Sequence, residues 1–211
     1  MAQVLKDEVR EAICEAALEV FTERGFKSAT MADLAAVAGV STGNIYRYFE
    51  SKEVLYHALV PDELVDTLRR LLRQRVQALE GVGDPRRLGP EATYHVLSRE
   101  LLAFVVEHRR QVVLLLARSE GAAHEGFADE TVAALLKLAV AHFRARAPGL
   151  RLDPVTRLVL ARVYRNLVDA VVQILSELED EASVRRAVEV YSRYHLAGLA
   201  GLFAEGTAQV R

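Results

Sequence analysis

The sequence predicts an all-α fold of about nine helices, and three observations support this prediction. Apolar residues recur every three or four positions along most of the 211 residues, which is the spacing of one helix face. Helix-starting residues precede several of these stretches, and glycine or proline follows them. The length also suffices for a sizeable core, in one large helical domain or in a small module plus a larger domain.

Composition and charge limit the classes of protein to consider. The formal net charge is −2, and the first sixty residues are more acidic still, which counts against a protein that coats nucleic acid through bulk charge. The single cysteine, Cys14, cannot form an internal disulfide and is expected to be a buried structural residue. Apolar runs are too short to span a bilayer and no signal peptide is apparent, so we expect no membrane association and a cytoplasmic location.

The first two helices are predicted from their apolar faces and end signals. A long amphipathic helix should run from Leu5 to about Arg24 and end at Gly25. Thr30 then precedes a second, short helix, and Asp33 stands at the capping-box position, where Glu or Gln is preferred. Gly39 closes this helix.

The third helix is predicted to start at Ser41, whose hydroxyl can accept from the free amides of the first turn. Ile45 and Phe49 share its apolar face. The opposite side carries hydroxyls, an amide, a cation and two phenol rings, which suit phosphates and base edges better than a core. Two short helices joined by a tight turn at Gly39-Val40 form the layout of a helix-turn-helix.

A family resemblance rests on these residues. The stretch from Ile13 to Leu59, with AALEVFTERGFKSATMADLAAVAGVSTGNIYRYFESKEVLY at its centre, resembles the DNA-binding domain of TetR-family transcriptional regulators. The resemblance covers about the first quarter of the chain. It implies an all-helical homodimer with a DNA-binding domain at 1–51 and an effector-binding and dimerisation domain at 52–211. In that family a small molecule bound to the second domain releases a repressor from its operator, although activators also occur.

Carried over by position, the resemblance implies that a set of polar residues contacts double-stranded operator DNA: Thr30, Ser41, Thr42, Gly43, Asn44, Tyr46, Arg47, Tyr48 and Lys52. Thr42 and Asn44 are the expected base readers, since Asn can pair bidentately with adenine and the Thr methyl can meet a thymine methyl. Gly43 would let the backbone approach the DNA, and Thr30 and Lys52 would reach phosphates. The alternative interpretation is a solvated polar helix face.

The fourth helix is expected to start at Lys52 after the cap residue Ser51 and to be interrupted at Pro61. Proline lacks an amide donor and clashes one turn back, and Asp62-Glu63 after it indicates a helix restart. We therefore predict a kink or break at Pro61. A hinge and a purely structural bend are both open interpretations.

The larger domain is predicted as a series of helices separated by Gly/Pro-rich segments. A surface loop is expected at 81–90, followed by helices at about 91–107, 111–118, 127–146, 154–179 and 183–204, the last capped by Ser183. The last two helices are apolar on more than one face. The resemblance implies that they form a four-helix homodimer interface, whereas an intrachain core would explain the same pattern.

No catalytic constellation is recognisable, and we expect no enzyme, no metal site and no cofactor. The six histidines are scattered without metal-ligand spacing, and no nucleophile motif is present. An effector pocket is expected among polar and aromatic residues of the larger domain: Tyr94, Phe104, His108, His142, Tyr164 and Asn166. A core rich in Leu, Val and Ala without tryptophan suggests a lipophilic effector.

The predicted function is therefore a DNA-binding transcriptional regulator, a repressor released by a small lipophilic effector. The alternative is a helical small-molecule-binding protein or an enzyme of the same fold that does not bind DNA. The acidic balance of the N-terminal residues motivates that alternative.

Overall fold

The computed structural model describes residues 2–82, 87–146 and 153–208, and these residues confirm the all-α prediction. Within these ranges the chain forms ten helices and no strand. The helices are α1 (Ala2–Arg24), α2 (Met31–Ala38), α3 (Thr42–Tyr46), α4 (Lys52–Leu59), α5 (Asp62–Gln77), α6 (Thr93–Glu107), α7 (Arg109–Ala117), α8 (Phe127–Arg146), α9 (Pro154–Glu177) and α10 (Glu181–Ala208).

The helices divide into two compact units. One, which we call the head unit, consists of Met1–Asp66 and His108–Phe127. The other, the body unit, consists of Thr67–Glu107 and Ala128–Arg211. These boundaries differ from the expected division of function at 1–51 and 52–211, because α4 and α7 pack with the N-terminal helices. The division of function itself remains a prediction.

The core of the head unit is apolar and aromatic. Its fully buried side chains come from α1 to α4 and from α7, and include Ile13, Phe21, Ile45, Leu55 and Tyr56. Phe26 lies between two of the rings, with centroid distances of 5.4 Å to Phe21 and 5.2 Å to Tyr56. These edge and tilted ring contacts join the end of α1 to α4.

The tight turns of the head unit follow the predicted end signals. Gly39 adopts a left-handed conformation with φ 66° and ψ 27°, and the amide of Val40 donates to the Ala35 carbonyl at 3.1 Å. A side chain is disfavoured at that φ, so glycine ends α2 here. The capping box of Thr30 and Asp33 is present in full, which confirms that prediction.

The predicted break at Pro61 is confirmed. Helix α4 ends at Leu59 and α5 begins at Asp62. The Pro61 carbonyl accepts hydrogen bonds from the amides of Leu64 at 3.0 Å and Val65 at 3.3 Å, so Pro61 opens the first turn of α5.

A second segment completes the head unit. Helix α7 buries Val112 through Leu115, and the Arg118 carbonyl after it accepts from the Phe26 amide at 2.9 Å. Exposed ion pairs join the same segment to α1 and the turn after it, Arg110 with Glu15 and Lys27 with Glu120, each at 2.6 Å. Such pairs contribute little stability alone, whereas the buried apolar residues of α7 contribute more.

The body unit holds the long C-terminal helices. Helix α9 starts as predicted, with Asp153 as cap and Pro154 at the first helical position. The predicted cap of α10 is wrong: the carboxylate of Asp180 accepts from the Ser183 amide at 2.8 Å, and the helix starts two residues earlier, at Glu181. Asp binds the amides of a first turn as well as Ser does. The predicted loop positions 83–86 and the segment 147–152, between the predicted helices at 127–146 and 154–179, lie outside the described residues.

Among the described residues, no helix combines the length and the apolar composition that a membrane span needs.

Candidate nucleic-acid interface

Helix α3 is short and is fixed to the head unit by its apolar face. The Ser41 hydroxyl accepts from the Asn44 amide at 3.2 Å and caps the helix, as the sequence predicts. Ile45 is 0% and Phe49 is 2% exposed. A five-residue helix is unstable alone, so its position depends on these two buried side chains and on the cap.

The remaining residues of α3 and its flanks form what we call the reading edge: Ser41, Thr42, Gly43, Asn44, Tyr46, Arg47 and Tyr48. Ser41, Gly43, Tyr46 and Arg47 are exposed, and the other three are half-buried. The Tyr46 side chain is 51% exposed, although a tyrosine ring gains free energy on burial. A Cβ added at Gly43 would meet no atom within 4 Å. Packing therefore does not require glycine there, and the backbone is open to a close approach.

Thr30 is exposed but its hydroxyl is already in use. It donates to the Asp33 carboxylate at 2.6 Å and accepts from the Asp33 amide at 3.2 Å. The hydroxyl bond to the carboxylate and a second bond from the Thr30 amide at 2.9 Å, together with Arg24 at 2.8 Å, lower the pKa of Asp33. A phosphate contact by Thr30 stays a prediction, and the structure assigns the residue first to the cap of α2.

The Lys52 side chain lies against the turn after α1 and does not extend into solvent. Its ammonium donates to the carbonyls of Phe26 at 2.8 Å and Ala29 at 2.9 Å. It also lies 4.4 Å from the centroid of the Phe26 ring, a cation–π distance. The predicted phosphate contact would require release of at least one of these bonds and remains a prediction.

The positive charge at the reading edge comes from Arg47. Lys27 is paired with Glu120, and that hydrogen bond is the main cause of the raised pKa of Lys27. Arg47 is exposed and has no ion-pair partner among the residues that the structure describes. An exposed, uncommitted guanidinium beside two tyrosines can contact a phosphate or the edge of guanine.

The body unit contains a polar cluster around Arg75, on α5. Its guanidinium donates to the Ser98 hydroxyl at 2.9 Å and to the Tyr94 hydroxyl at 2.7 Å. Arg75 also influences Tyr164 and His195: burial raises the pKa of Tyr164 despite the nearby cation, and burial together with Arg75 lowers the pKa of His195 to about 4. The His195 ring meets the Tyr164 ring at a centroid distance of 5.4 Å.

This polar cluster joins two of the six residues predicted for an effector pocket, Tyr94 and Tyr164, which are 3% and 6% exposed. Phe104 and His142 are half-buried on α6 and α8, and His108 belongs to the head unit. Asn166 is exposed, and its carbonyl accepts from the Tyr191 hydroxyl at 3.2 Å. The role of these four residues stays a prediction.

Sequence reasoning did not select Arg75, Ser98 or His195. The signal for Arg75 was its position seven residues after Leu68 on the apolar stripe of α5, since residues spaced i, i+3 or i+4, and i+7 share a helix face. A cation on that face is expected to point toward the interior and to need partners there.

The last two helices expose apolar side chains, which we call the C-terminal apolar face. On α9, Val155 is 70% and Leu158 is 61% exposed, and on α10 Tyr194 is 72% exposed. Val159, Val190 and Leu202 are exposed as well. Several large apolar residues exposed on the same two helices are typical of an interaction surface.

The sequence pattern of the family described as bacterial regulatory proteins, tetR family, matches residues 13–59. The chain is 31% identical over 113 residues to the HTH-type transcriptional repressor BepR of Brucella suis biovar 1, a match that covers 52% of this chain and 49% of BepR. The chain thus spans about half the length of that relative.

Two further comparisons extend over most of the chain. The HTH-type transcriptional regulator UidR of Escherichia coli strain K12 is 29% identical over 184 residues, which cover 84% of this chain and 85% of UidR. The crystal structure of a TetR-family regulator from Streptomyces coelicolor A3 matches with a TM-score of 0.51 and 22% identity. That match covers 88% of this chain and 90% of the other and supports the fold.

Proposed function

This chain belongs to the TetR family of bacterial regulatory proteins, and from that premise we propose that it is a DNA-binding transcriptional regulator. The observation that carries the proposal is the presentation of α3. A helix of five residues is anchored by Ile45, and its last residue Tyr46 and the following cap residue Arg47 are exposed. A fold that used these residues for its own stability would bury the ring and pair the cation.

Within this proposal the reading edge has two kinds of contact. Thr42 and Asn44 face base edges in the major groove, where Asn can recognise adenine bidentately and the Thr methyl can contact thymine. Ser41, Tyr46, Arg47 and Tyr48 contact the sugar-phosphate backbone or neighbouring base edges and fix the register. Because the rest of the head unit is acidic, specificity rests on these contacts more than on bulk charge.

We further propose that the C-terminal apolar face joins two chains into a homodimer through α9 and α10. A two-fold interface places the same patch of both subunits together. Leu158 and Tyr194 of each subunit would then be buried against the other subunit. The dimer would set the two α3 helices in successive major grooves, about one helical turn of DNA apart or slightly more. Such a protein acts on the chromosome, which places it in the cytoplasm.

A small-molecule effector is proposed to bind at the polar cluster around Arg75. The guanidinium is half-buried and makes neutral hydrogen bonds, and among the described residues it has no carboxylate partner. A cation in such surroundings favours an anion. We therefore propose a lipophilic organic anion whose carboxylate meets Arg75, with Tyr94 and Tyr164 beside it. Differential binding of about 1 to 3 kcal/mol would lower operator affinity by several-fold to about a hundredfold, giving a repressor that its effector releases.

The experiment for DNA binding is a titration of the purified protein with its own upstream DNA over a range of salt concentrations. We expect salt-sensitive, sequence-specific binding that Tyr46→Ala abolishes. Arg47→Ala should weaken binding across sequences and reduce the salt slope by about one. Arg70→Ala is the control, because Arg70 is an exposed arginine of α5 in the body unit. Absence of specific binding at modest salt would reject the regulator and favour the small-molecule-binding alternative.

The experiment for the effector class is a thermal-shift screen that pairs aliphatic and aromatic carboxylates with their neutral amides. Ligands that bind the native state raise the midpoint, and we expect carboxylates alone to do so. Arg75→Gln should remove the response, whereas Arg73→Gln, an exposed neighbour on α5, should retain it. A response to the amides that equals the response to the acids would contradict the proposed anion.

A further inference from the structure

Three potential metal ligands meet in the head unit, outside the reading edge. His57 lies in the last turn of α4, Asp62 is the first residue of α5, and His124 lies between α7 and α8. The ligand atoms of these three side chains lie within 4.8 Å of one another. His57 and Asp62 flank the break at Pro61, whereas His124 comes from a distant part of the sequence, so no spacing motif reveals the three together.

The distances fit a metal ion better than a hydrogen-bonded ion pair. The Nε2 atom of His124 lies 3.4 Å from the Asp62 carboxylate, longer than the 2.7 to 2.9 Å that is typical of a charge-assisted N–H···O bond. That nitrogen is buried and has no hydrogen-bond partner among the described residues. Two ligands of a tetrahedral Zn²⁺ ion, each at about 2.0 to 2.1 Å, are themselves about 3.3 Å apart.

The surroundings hold His124 in place while leaving a path for an ion. The Ser119 hydroxyl donates to the Leu115 carbonyl at 3.0 Å and also lies 3.4 Å from the His124 carbonyl. The imidazole ring lies 6.1 Å from the buried Tyr56 ring and 5.9 Å from the His57 ring, measured between centroids. The His124 side chain is 16% exposed, but that of Asp62 is 72% exposed, so an ion can enter from solvent.

We propose that His57, Asp62 and His124 bind one divalent transition-metal ion per chain. Two imidazoles and one carboxylate suit Zn²⁺ and the related ions Co²⁺ and Ni²⁺, and three protein ligands leave a fourth position for water. The ligands come from both sides of Pro61 and from the segment after α7. A bound ion therefore links the end of α4, the first residue of α5 and the segment after α7, all within the head unit.

The test uses the untagged full-length protein, stripped with a chelator and dialysed against Co²⁺. We expect one Co²⁺ per chain at micromolar concentration, with a visible ligand-field spectrum that Zn²⁺ displaces, and a higher thermal midpoint in the presence of Zn²⁺. His57→Gln, Asp62→Asn and His124→Gln should each weaken Co²⁺ binding more than tenfold, since each removes one of three ligands. His95→Gln, a half-buried histidine of the body unit, is the control and should bind as the wild type does.

Two results would overturn the proposal: a wild-type protein that retains no Co²⁺ after dialysis, or ligand variants that retain it as tightly as the wild type. Circular dichroism checks the fold of each variant. His57 and Asp62 are exposed, so their variants are expected to fold and to decide the question even where His124→Gln does not.

Discussion

The head and body units distribute polar and apolar side chains in opposite ways. In the head unit, aromatic and aliphatic side chains fill the interior and the reading edge presents Tyr46 and Arg47 to solvent. In the body unit, Arg75 and His195 lie among buried tyrosines, while Leu158 and Tyr194 are exposed. The head unit thus follows the usual distribution of buried apolar and exposed polar side chains, whereas the body unit departs from it where a ligand and a second subunit are proposed.

The contrast distinguishes the kinds of partner. An exposed polar edge on a rigid apolar support suits a polyanion, which is bound through hydrogen bonds and charge. An exposed apolar face suits a second protein surface, because burial of apolar area drives association. A polar cluster in an apolar interior suits a small ligand, which must replace the partners that water would supply.

The largest effect is expected at the C-terminal apolar face. The double variant Leu158→Glu/Tyr194→Glu would place four carboxylates in a two-fold interface, and each buried charge costs several kcal/mol. We expect a monomer by light scattering at micromolar concentration, with unchanged helicity because both side chains are exposed in the single chain. Gln77→Glu, on the exposed side of α5, is the control. If the wild-type protein is a monomer, or if the double variant stays dimeric, the C-terminal apolar face is not the dimer interface.

The next effect concerns the buried polar cluster and depends on pH. His195 has a pKa of about 4 in the folded chain and about 6.5 when unfolded. Between these values the unfolded chain binds more protons, so stability falls as pH decreases from 6.5 to 4, by up to about 3 kcal/mol. Urea unfolding over that range should show a shallower loss for His195→Asn than for the wild type. Equal slopes would mean that His195 is solvated, and the interior of the body unit would then be less polar than proposed.

A smaller effect is expected for substitution of Lys52. Its size tests whether this cation stabilises the fold or is available to contact DNA. Lys52→Met keeps an aliphatic chain over the Phe26 ring but leaves the carbonyls of Phe26 and Ala29 without their donor. We expect a loss of about 2 kcal/mol in the free energy of unfolding. Lys27→Met, which removes only an exposed ion pair, should change stability much less. If the two variants were equally stable, the bonds of Lys52 would contribute little to folding, and the predicted phosphate contact would be favoured.

The smallest effect is expected at the cap of α2. Thr30→Ala removes the side-chain acceptor for the Asp33 amide and should cost about 1 kcal/mol. Ser28→Ala, at an exposed position of the preceding turn, serves as the reference in the same urea titration. If Thr30→Ala left stability unchanged yet weakened DNA binding, the hydroxyl would belong to the reading edge.

Local signals predicted the helices well because their causes are local. The capping box of Thr30, the left-handed Gly39 and the break at Pro61 each depend on a few neighbouring residues. The cap of α10 was predicted wrongly because Asp180 and Ser183 are both good caps, and sequence alone does not rank them. For α10 the choice was between two caps within one turn, which a local signal does not decide.

Contacts between distant residues could not be predicted in this way. Lys52 binds carbonyls 23 and 26 residues away, and the resemblance, which implies a phosphate contact for this lysine, gave no indication of these bonds. His124 meets His57 and Asp62 only after α7 has returned to the N-terminal helices. Arg75 lay on an apolar stripe, but its partners on α6 became known only from the fold.

The return of the chain into the head unit bears on the construction of chimaeric regulators. An exchange of DNA-reading domains cut after residue 51 would leave behind Val112 to Leu115, the Arg118 carbonyl that accepts from Phe26, and the partners of Glu15 and Lys27. A transplant would then need to carry two pieces of chain, Met1–Asp66 and His108–Phe127. Operator specificity could instead be changed by replacing only the reading edge. Every one of these contacts within the head unit would then be kept.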